Sequence, residues 1–85
     1  MMLMNDNGLL INLNKIHTTD LGAERIIKNL KLETNDVVSW CVQKIEQADN
    51  IVRKGKNWYV YVKDTVLTVN AHSYTIITAH KSKGN

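Results

Sequence analysis

The sequence predicts an α+β domain, with two to three N-terminal helices packed on one face of a C-terminal, three- to four-stranded antiparallel meander. Two observations carry this. Apolar residues recur at helical spacing up to Ile45, and from Asn57 onward they alternate in short runs rich in Val, Ile, Thr and Tyr. The gaps between the later runs are too short for a crossover, so neighbouring runs must fold back as hairpins. Eighty-five residues suit one domain.

Residues 1–7 read as a loose terminus that enters an Asn-Asp-Asn-Gly turn signal. Leu9, Leu13 and Ile16 share a helical face and predict a short helix over Gly8–Ile16. Thr18, Thr19 and Asp20 interrupt that pattern, and each can cap the next helix, predicted over Asp20–Leu30. Its expected buried stripe is Ala23, Ile26, Ile27 and Leu30. Glu24 and Lys28 lie off the stripe as an i,i+4 pair in the favourable order. Thr34 is the expected cap of a third helix, Asn35–Gln47, with Asp36 in its first turn near the positive dipole end. Val38, Cys41, Val42 and Ile45 form its stripe, and Val37 widens it. Cys41 inside that stripe reads as a small buried thiol rather than a nucleophile.

Ala48-Asp49-Asn50 ends the helical half. Ile51–Arg53 predicts a short strand closed by a Lys54-Gly55 turn. Asn57–Lys63 alternates, with Trp58, Val60 and Val62 on one face and Tyr59, Tyr61 and Lys63 on the other, the pattern of a half-buried antiparallel strand. Asp64 makes a turn, and Thr65–Asn70 is the next strand. Ala71-His72-Ser73 turns into a last strand, Tyr74–His80. Alternation there places Ile76, Thr78 and His80 on one face and Thr75, Ile77 and Ala79 on the other. Residues 81–85 read as a polar tail, loose from Ser82 on. Trp58, Val60 and Val62 are the expected anchor to the helices. Whether Thr78 and His80 join the face of Tyr59 and Tyr61 depends on strand register, which alternation leaves open.

An apolar fraction of 44% argues against disorder. A single cysteine excludes an intramolecular disulfide and both four-cysteine and Cys₂His₂ zinc sites. No apolar run approaches the roughly 20 residues of a membrane span, and Met1–Met4 is too short for a signal peptide. These features predict a cytoplasmic, soluble protein. The net charge of +3 is uneven: five cations meet seven carboxylates in residues 1–50, and six meet one in residues 51–85. A basic sheet half suits a polyanionic partner, RNA or an acidic protein. It equally suits ordinary solvated strands whose Lys residues block edge pairing.

The three histidines, His17, His72 and His80, match no local metal-ligand spacing, so no metal or other cofactor is expected. His17 precedes a helix and reads either as a boundary residue or as a general acid or base. Arg25 is either part of a solvated helix face or a phosphate clamp. Thr78 and His80 share a face of the last strand. Tyr59 and Tyr61 beside Lys63 suit base stacking with phosphate contact, or ordinary cross-strand packing. Asn70, His72, Ser73 and Tyr74 gather at one hairpin end, as a polar site or simply a turn. With Lys56, the residues Tyr59, Tyr61, Lys63, Asn70 and Tyr74 form the expected nucleic-acid-binding set.

HTTDLGAERIIKNL (His17–Leu30) and KNWYVYVKDTVLTVNAHSYTIITAHK (Lys56–Lys81) resemble a small bacterial family, domain-of-unknown-function family 3781, along roughly Leu9 to Lys81. That resemblance implies no activity. The order of elements is also similar to the superfamily of small metal-independent ribonucleases that includes barnase, the EndoU nucleases, colicin D and the RelE-type toxins. This second likeness is topological, without a shared signature. It implies RNA on the exposed sheet face and cleavage by attack of the ribose 2′-OH on the adjacent phosphate. It would make His17 or His80 the base or acid and Arg25 or Lys56 the cation. Tyr59, Tyr61 and Thr78 would orient the RNA. The two functional expectations are therefore a non-catalytic protein- or nucleic-acid-binding module of a bacterial or mobile-element system, and a metal-independent endoribonuclease of the toxin type.

Overall fold

The computed structural model describes residues 7–82. The loose ends expected at residues 1–6 and 83–85 lie outside the described residues. Among the described residues three helices precede four strands: α1 (Asn7–Leu10), α2 (Asp20–Leu30), α3 (Val37–Glu46), β1 (Asn50–Lys54), β2 (Asn57–Val62), β3 (Thr65–Asn70) and β4 (Ile76–Lys81). The strands form one antiparallel meander in the order β1-β2-β3-β4. No helix among the described residues is long and apolar enough to cross a membrane.

The first predicted helix is broken. It runs only from Asn7, inside the expected loose terminus, to Leu10, and a 3₁₀ turn follows at Leu13–Lys15. Asn12 explains the break. Its side-chain amide donates to Gly8 O at 2.8 Å, competing with the backbone for the helical ladder. The predicted face survives, because Leu9 and Ile16 are buried and Leu13 packs against them.

α2 has the predicted bounds. Thr19 caps it, accepting from Gly22 N at 2.9 Å, and Lys31 ends it in the left-handed region at φ 54°. Gly22, Ile26 and Leu30 are its most buried residues. α3 starts two residues later than predicted, because Asp36 rather than Thr34 is its cap. Asp36 Oδ1 accepts from Ser39 N, while Thr34 Oγ1 accepts from Asp36 N in a separate local turn. Val37, Cys41 and Ile45 form its buried stripe.

These helices cover one face of the sheet. Trp58, Val60 and Val62 point into the core as predicted, joined by Leu67, Val69, Ile76 and Ala79. β1 is longer than predicted, since pairing with β2 recruits Asn50 and Lys54. The last strand departs most from simple alternation. Thr68 pairs with Thr78 but Val69 pairs with Ile76, so Ile77 is a bulge residue. Ile76 and Ala79 therefore both face the core, three residues apart, and Ile77 and Thr78 stand together outside. The grouping of Ile76 with Thr78 and His80, and of Ile77 with Ala79, is corrected accordingly. Lys81 belongs to β4, and Ser82 N donates to Asp64 O, so the tail is ordered one residue further than expected.

Candidate functional site

Register decides which side chains share the uncovered face. Cross-strand partners project from the same side of a sheet. One row therefore reads Val52, Tyr59, Thr68 and Thr78, and the next reads Asn50, Tyr61, Val66 and His80. A third row, Lys54, Asn57 and Asn70, lies toward the opposite end. Thr78 and His80 thus join the face of Tyr59 and Tyr61. Among the described residues no helix covers these rows: Tyr61 is 41% exposed and Ile77 43%. Thr68 is buried between its neighbours at the centre. Tyr59 and Tyr61 are two residues apart, about 7 Å along the strand.

No outward strand position is acidic. The two nearest carboxylates are already engaged. Asp49 Oδ2 accepts from Lys63 N at 2.7 Å, and Asp64 lies 3.6 Å from the Lys81 ammonium. Lys63 is not an outward strand residue. It sits in the β2–β3 turn in the left-handed region at φ 54°, exposed at the rim. Lys56 occupies the β1–β2 turn, where its carbonyl accepts from Ala71 N.

A second polar group forms where β4 begins. Backbone bonds from His17 N to Tyr74 O and from Ile76 N to His17 O make a one-residue parallel bridge. His17 Nδ1 then lies 3.0 Å from Lys15 O, and Nε2 lies 3.0 Å from Thr75 Oγ1. Thr75 Oγ1 is 2.7 Å from Ser73 Oγ, which is 3.2 Å from Asn70 Oδ1. With a neutral ring, Nδ1–H donates to the Lys15 carbonyl and Nε2 accepts from Thr75, which accepts from Ser73. With a protonated ring, Nε2–H donates to Thr75, Thr75 to Ser73 and Ser73 to Asn70. In the first arrangement Ser73 gives up its bond to Asn70, and in the second it keeps it.

Asn70 also shapes the turn. Its Oδ1 accepts from His72 N and Ser73 N, both at 2.9 Å. Tyr74 follows in the left-handed region at φ 61°. Its ring packs on Trp58 with centroids 5.4 Å apart, under Lys15 Nζ at 5.5 Å. Tyr74 thus belongs with the inward-facing Trp58, away from the Tyr59 and Tyr61 rows.

The predicted catalytic set is spread out. His17 bridges Thr75, whereas His80 lies about four ladder steps further toward the end of β4, on the order of 13 Å away. Arg25 is an exposed residue of α2, in the helical layer. Thr78 and His80 share the open face. His80 Nδ1 bonds the carbonyl of Lys81. Sequence reasoning placed Ser73 in a polar turn but gave Thr75 no role. The only signal was the Asn70-to-Ser73 spacing of a side-chain-capped turn. Among the described residues no group of three or more His, Cys, Asp or Glu is arranged to hold a metal ion.

A family model described as a protein of unknown function, DUF3781, matches residues 10–80. The chain belongs to this family. No curated protein and no solved structure matches it.

Proposed function

We propose that this DUF3781 protein is a non-catalytic module that binds single-stranded nucleic acid, RNA first, on its open sheet face. One observation carries the reading: Tyr59, Tyr61, Thr78 and His80 project from one uncovered face that has no carboxylate. Aromatic rings on a sheet stack with bases of any sequence, and hydroxyl and imidazole groups between them meet base edges or ribose. Lys54 and Lys63 at the ends of the strands supply the phosphate contacts, and such contacts make binding weaken with salt.

Binding without cleavage is favoured by the distance between His17 and His80, which keeps the two imidazoles from acting on one phosphate. Fluorescence anisotropy of a labelled 12-nucleotide RNA, titrated in EDTA at low and high salt, tests the proposal. Saturable binding that weakens steeply with salt, with the RNA intact on a denaturing gel, is expected. Absence of binding at low salt would sink the proposal, and cut RNA would replace it with the ribonuclease alternative.

A further inference from the structure

The two edges of the sheet are finished differently. The N-terminal half of the chain meets the outer edge of β4 at Ile76 and Ala79. His17 exchanges backbone bonds with Tyr74 and Ile76, Thr18 Oγ1 donates to Ile76 O at 2.9 Å, and Asn29 Nδ2 donates to Ala79 O at 3.3 Å. Among the described residues β1 has only β2 as a strand partner. Its two-residue turn, Gly55-Lys56, makes Lys54 and Asn57 the closing hydrogen-bonded pair. The alternate residues Ile51 and Arg53 therefore aim their N–H and C=O groups away from β2. Such a row is a template for another strand.

Arg53 sharpens what that strand should carry. Its Nε donates to Gly55 O at 3.0 Å, and its guanidinium carbon lies 5.6 Å from the centre of the Trp58 ring. The head group is positioned while both Nη amino groups stay available, the arrangement that receives a carboxylate side-on. Lys54 and Lys56 flank it, and no residue from Asn50 to Val62 is acidic.

We infer that β1 is a docking edge for an extended acidic segment of a partner protein, added as a fifth strand, with a partner carboxylate on Arg53. Main-chain bonds to Ile51 and Arg53 give the affinity, and the charged side chains give the selectivity. A second copy is the poorer occupant. Antiparallel pairing of β1 with β1 through these outward groups would set Arg53 opposite Ile51 of the other copy and leave each guanidinium without a carboxylate on the added strand. The edge lies beside the Tyr59 and Tyr61 face rather than on it, so the inference stands apart from the nucleic-acid proposal.

The test titrates the full chain into a fluorescein-labelled peptide, Thr-Glu-Val-Glu-Val-Glu-Thr, at low salt. Two controls N-methylate the backbone nitrogens of its three glutamates or replace those glutamates with lysine. The acidic peptide should bind about tenfold more tightly than either control, because N-methylation keeps the charge but removes the donors that pair with Ile51 and Arg53. Amide hydrogen exchange at Ile51 and Arg53 should slow in the complex. Arg53→Gln should weaken binding about fivefold. Ile51→Pro, which removes an outward N–H, should weaken it about tenfold. If Ile51→Pro does not fold, Arg53→Gln and the exchange data decide. Equal binding of the N-methylated peptide would reduce the effect to bulk charge and overturn the inference. No binding of the acidic peptide, or a β1-mediated dimer of the free protein, would overturn it equally.

Discussion

Thr75 Oγ1 lies 3.0 Å from His17 Nε2, tying two residues 58 positions apart across the junction of the helical and sheet halves. Because Nδ1 faces the Lys15 carbonyl, the neutral ring must carry its proton on Nδ1, the less common tautomer. Long-range ¹H–¹⁵N correlation at alkaline pH should show an unprotonated Nε2 on His17. Thr75→Val should release that preference and cost about 0.5–1 kcal/mol in urea denaturation, as expected for one exposed hydrogen bond. A ring protonated on Nε2 in the wild type would disprove the assignment.

The β4 bulge makes a prediction that alternation does not. Ile76 is 1% exposed and Ile77 43%. Ile76→Ala should therefore cost about 2–4 kcal/mol through lost burial and a cavity, whereas Ile77→Ala should stay within about 0.5 kcal/mol. Deleting Ile77 should keep every pair from Thr78 to Lys81 on its present partner, because the bulge holds one residue more than the ladder needs. Paired urea melts check the substitutions, and cross-strand NOEs between Thr68 and Thr78 check the deletion.

These elements show what was legible in the sequence. α2 and β3 could be read to the residue, because local caps, stripes and turn spacings all agree there. The bulge could not, since one extra residue in Ile76-Ile77-Thr78-Ala79 leaves a run that still looks like a strand. The α1 break at Asn12 also turns on a side-chain bond that competes with an otherwise sound helical pattern. On the candidate site, Tyr59 and Tyr61 follow from simple alternation. Their company with Thr78 and His80 needed the register. The His17–Thr75 contact comes from a bridge of a single residue, too short to leave a pattern. Tyr74 looks from sequence like part of the polar hairpin end, yet its left-handed backbone turns its ring onto Trp58.

Cys41 is fully buried, and burial pushes its thiol up from 9.0 to about 12. The folded state thus holds this proton where the unfolded chain releases it. Stability from this residue is complete below pH 9 and falls between pH 9 and about 12, by about 1.4 kcal/mol per pH unit. Cys41→Ala removes that slope while adding a small pH-independent packing cost. The stability difference between wild type and variant should therefore shift in the variant's favour as pH rises from 8 to 11. A constant difference would refute it. At neutral pH the native thiol should also resist alkylating reagents until denaturant is added.

On the open face, Tyr61→Leu and Tyr59→Leu keep an apolar, strand-compatible side chain but remove the flat ring. Each should weaken RNA binding by about 5–100-fold, the equivalent of about 1–3 kcal/mol of stacking. Lys63→Ala should instead weaken all sequences alike and lower the salt slope by about 1. Full RNA affinity in the Tyr59 and Tyr61 double variant would move the binding site elsewhere. The fold should be little affected, and a thermal melt of each variant checks that.

Gly22 sets two effects against each other. In an exposed helix, Gly→Ala gains about 1 kcal/mol in propensity. At Gly22 a Cβ would stand 2.5 Å from Thr18 Oγ1 and 3.1 Å from Thr19 Oγ1. Those hydroxyls are in use: Thr18 donates to Ile76 O, and Thr19 caps α2 by accepting from Gly22 N. Thr is a short, branched side chain and cannot yield without giving up its bond. Losing the Thr18 bond would also strand the Ile76 carbonyl where the helical layer meets the β4 edge. The clash should win, and Gly22→Ala should destabilise the protein by about 1–2 kcal/mol. Thr18→Ala alone should cost about 1 kcal/mol. Combined with Gly22→Ala it should cost almost nothing further, because the clash disappears with the hydroxyl. Strict additivity in that double-mutant cycle, measured by urea denaturation, would show that Gly22 is not required by the approach of α2 to β4.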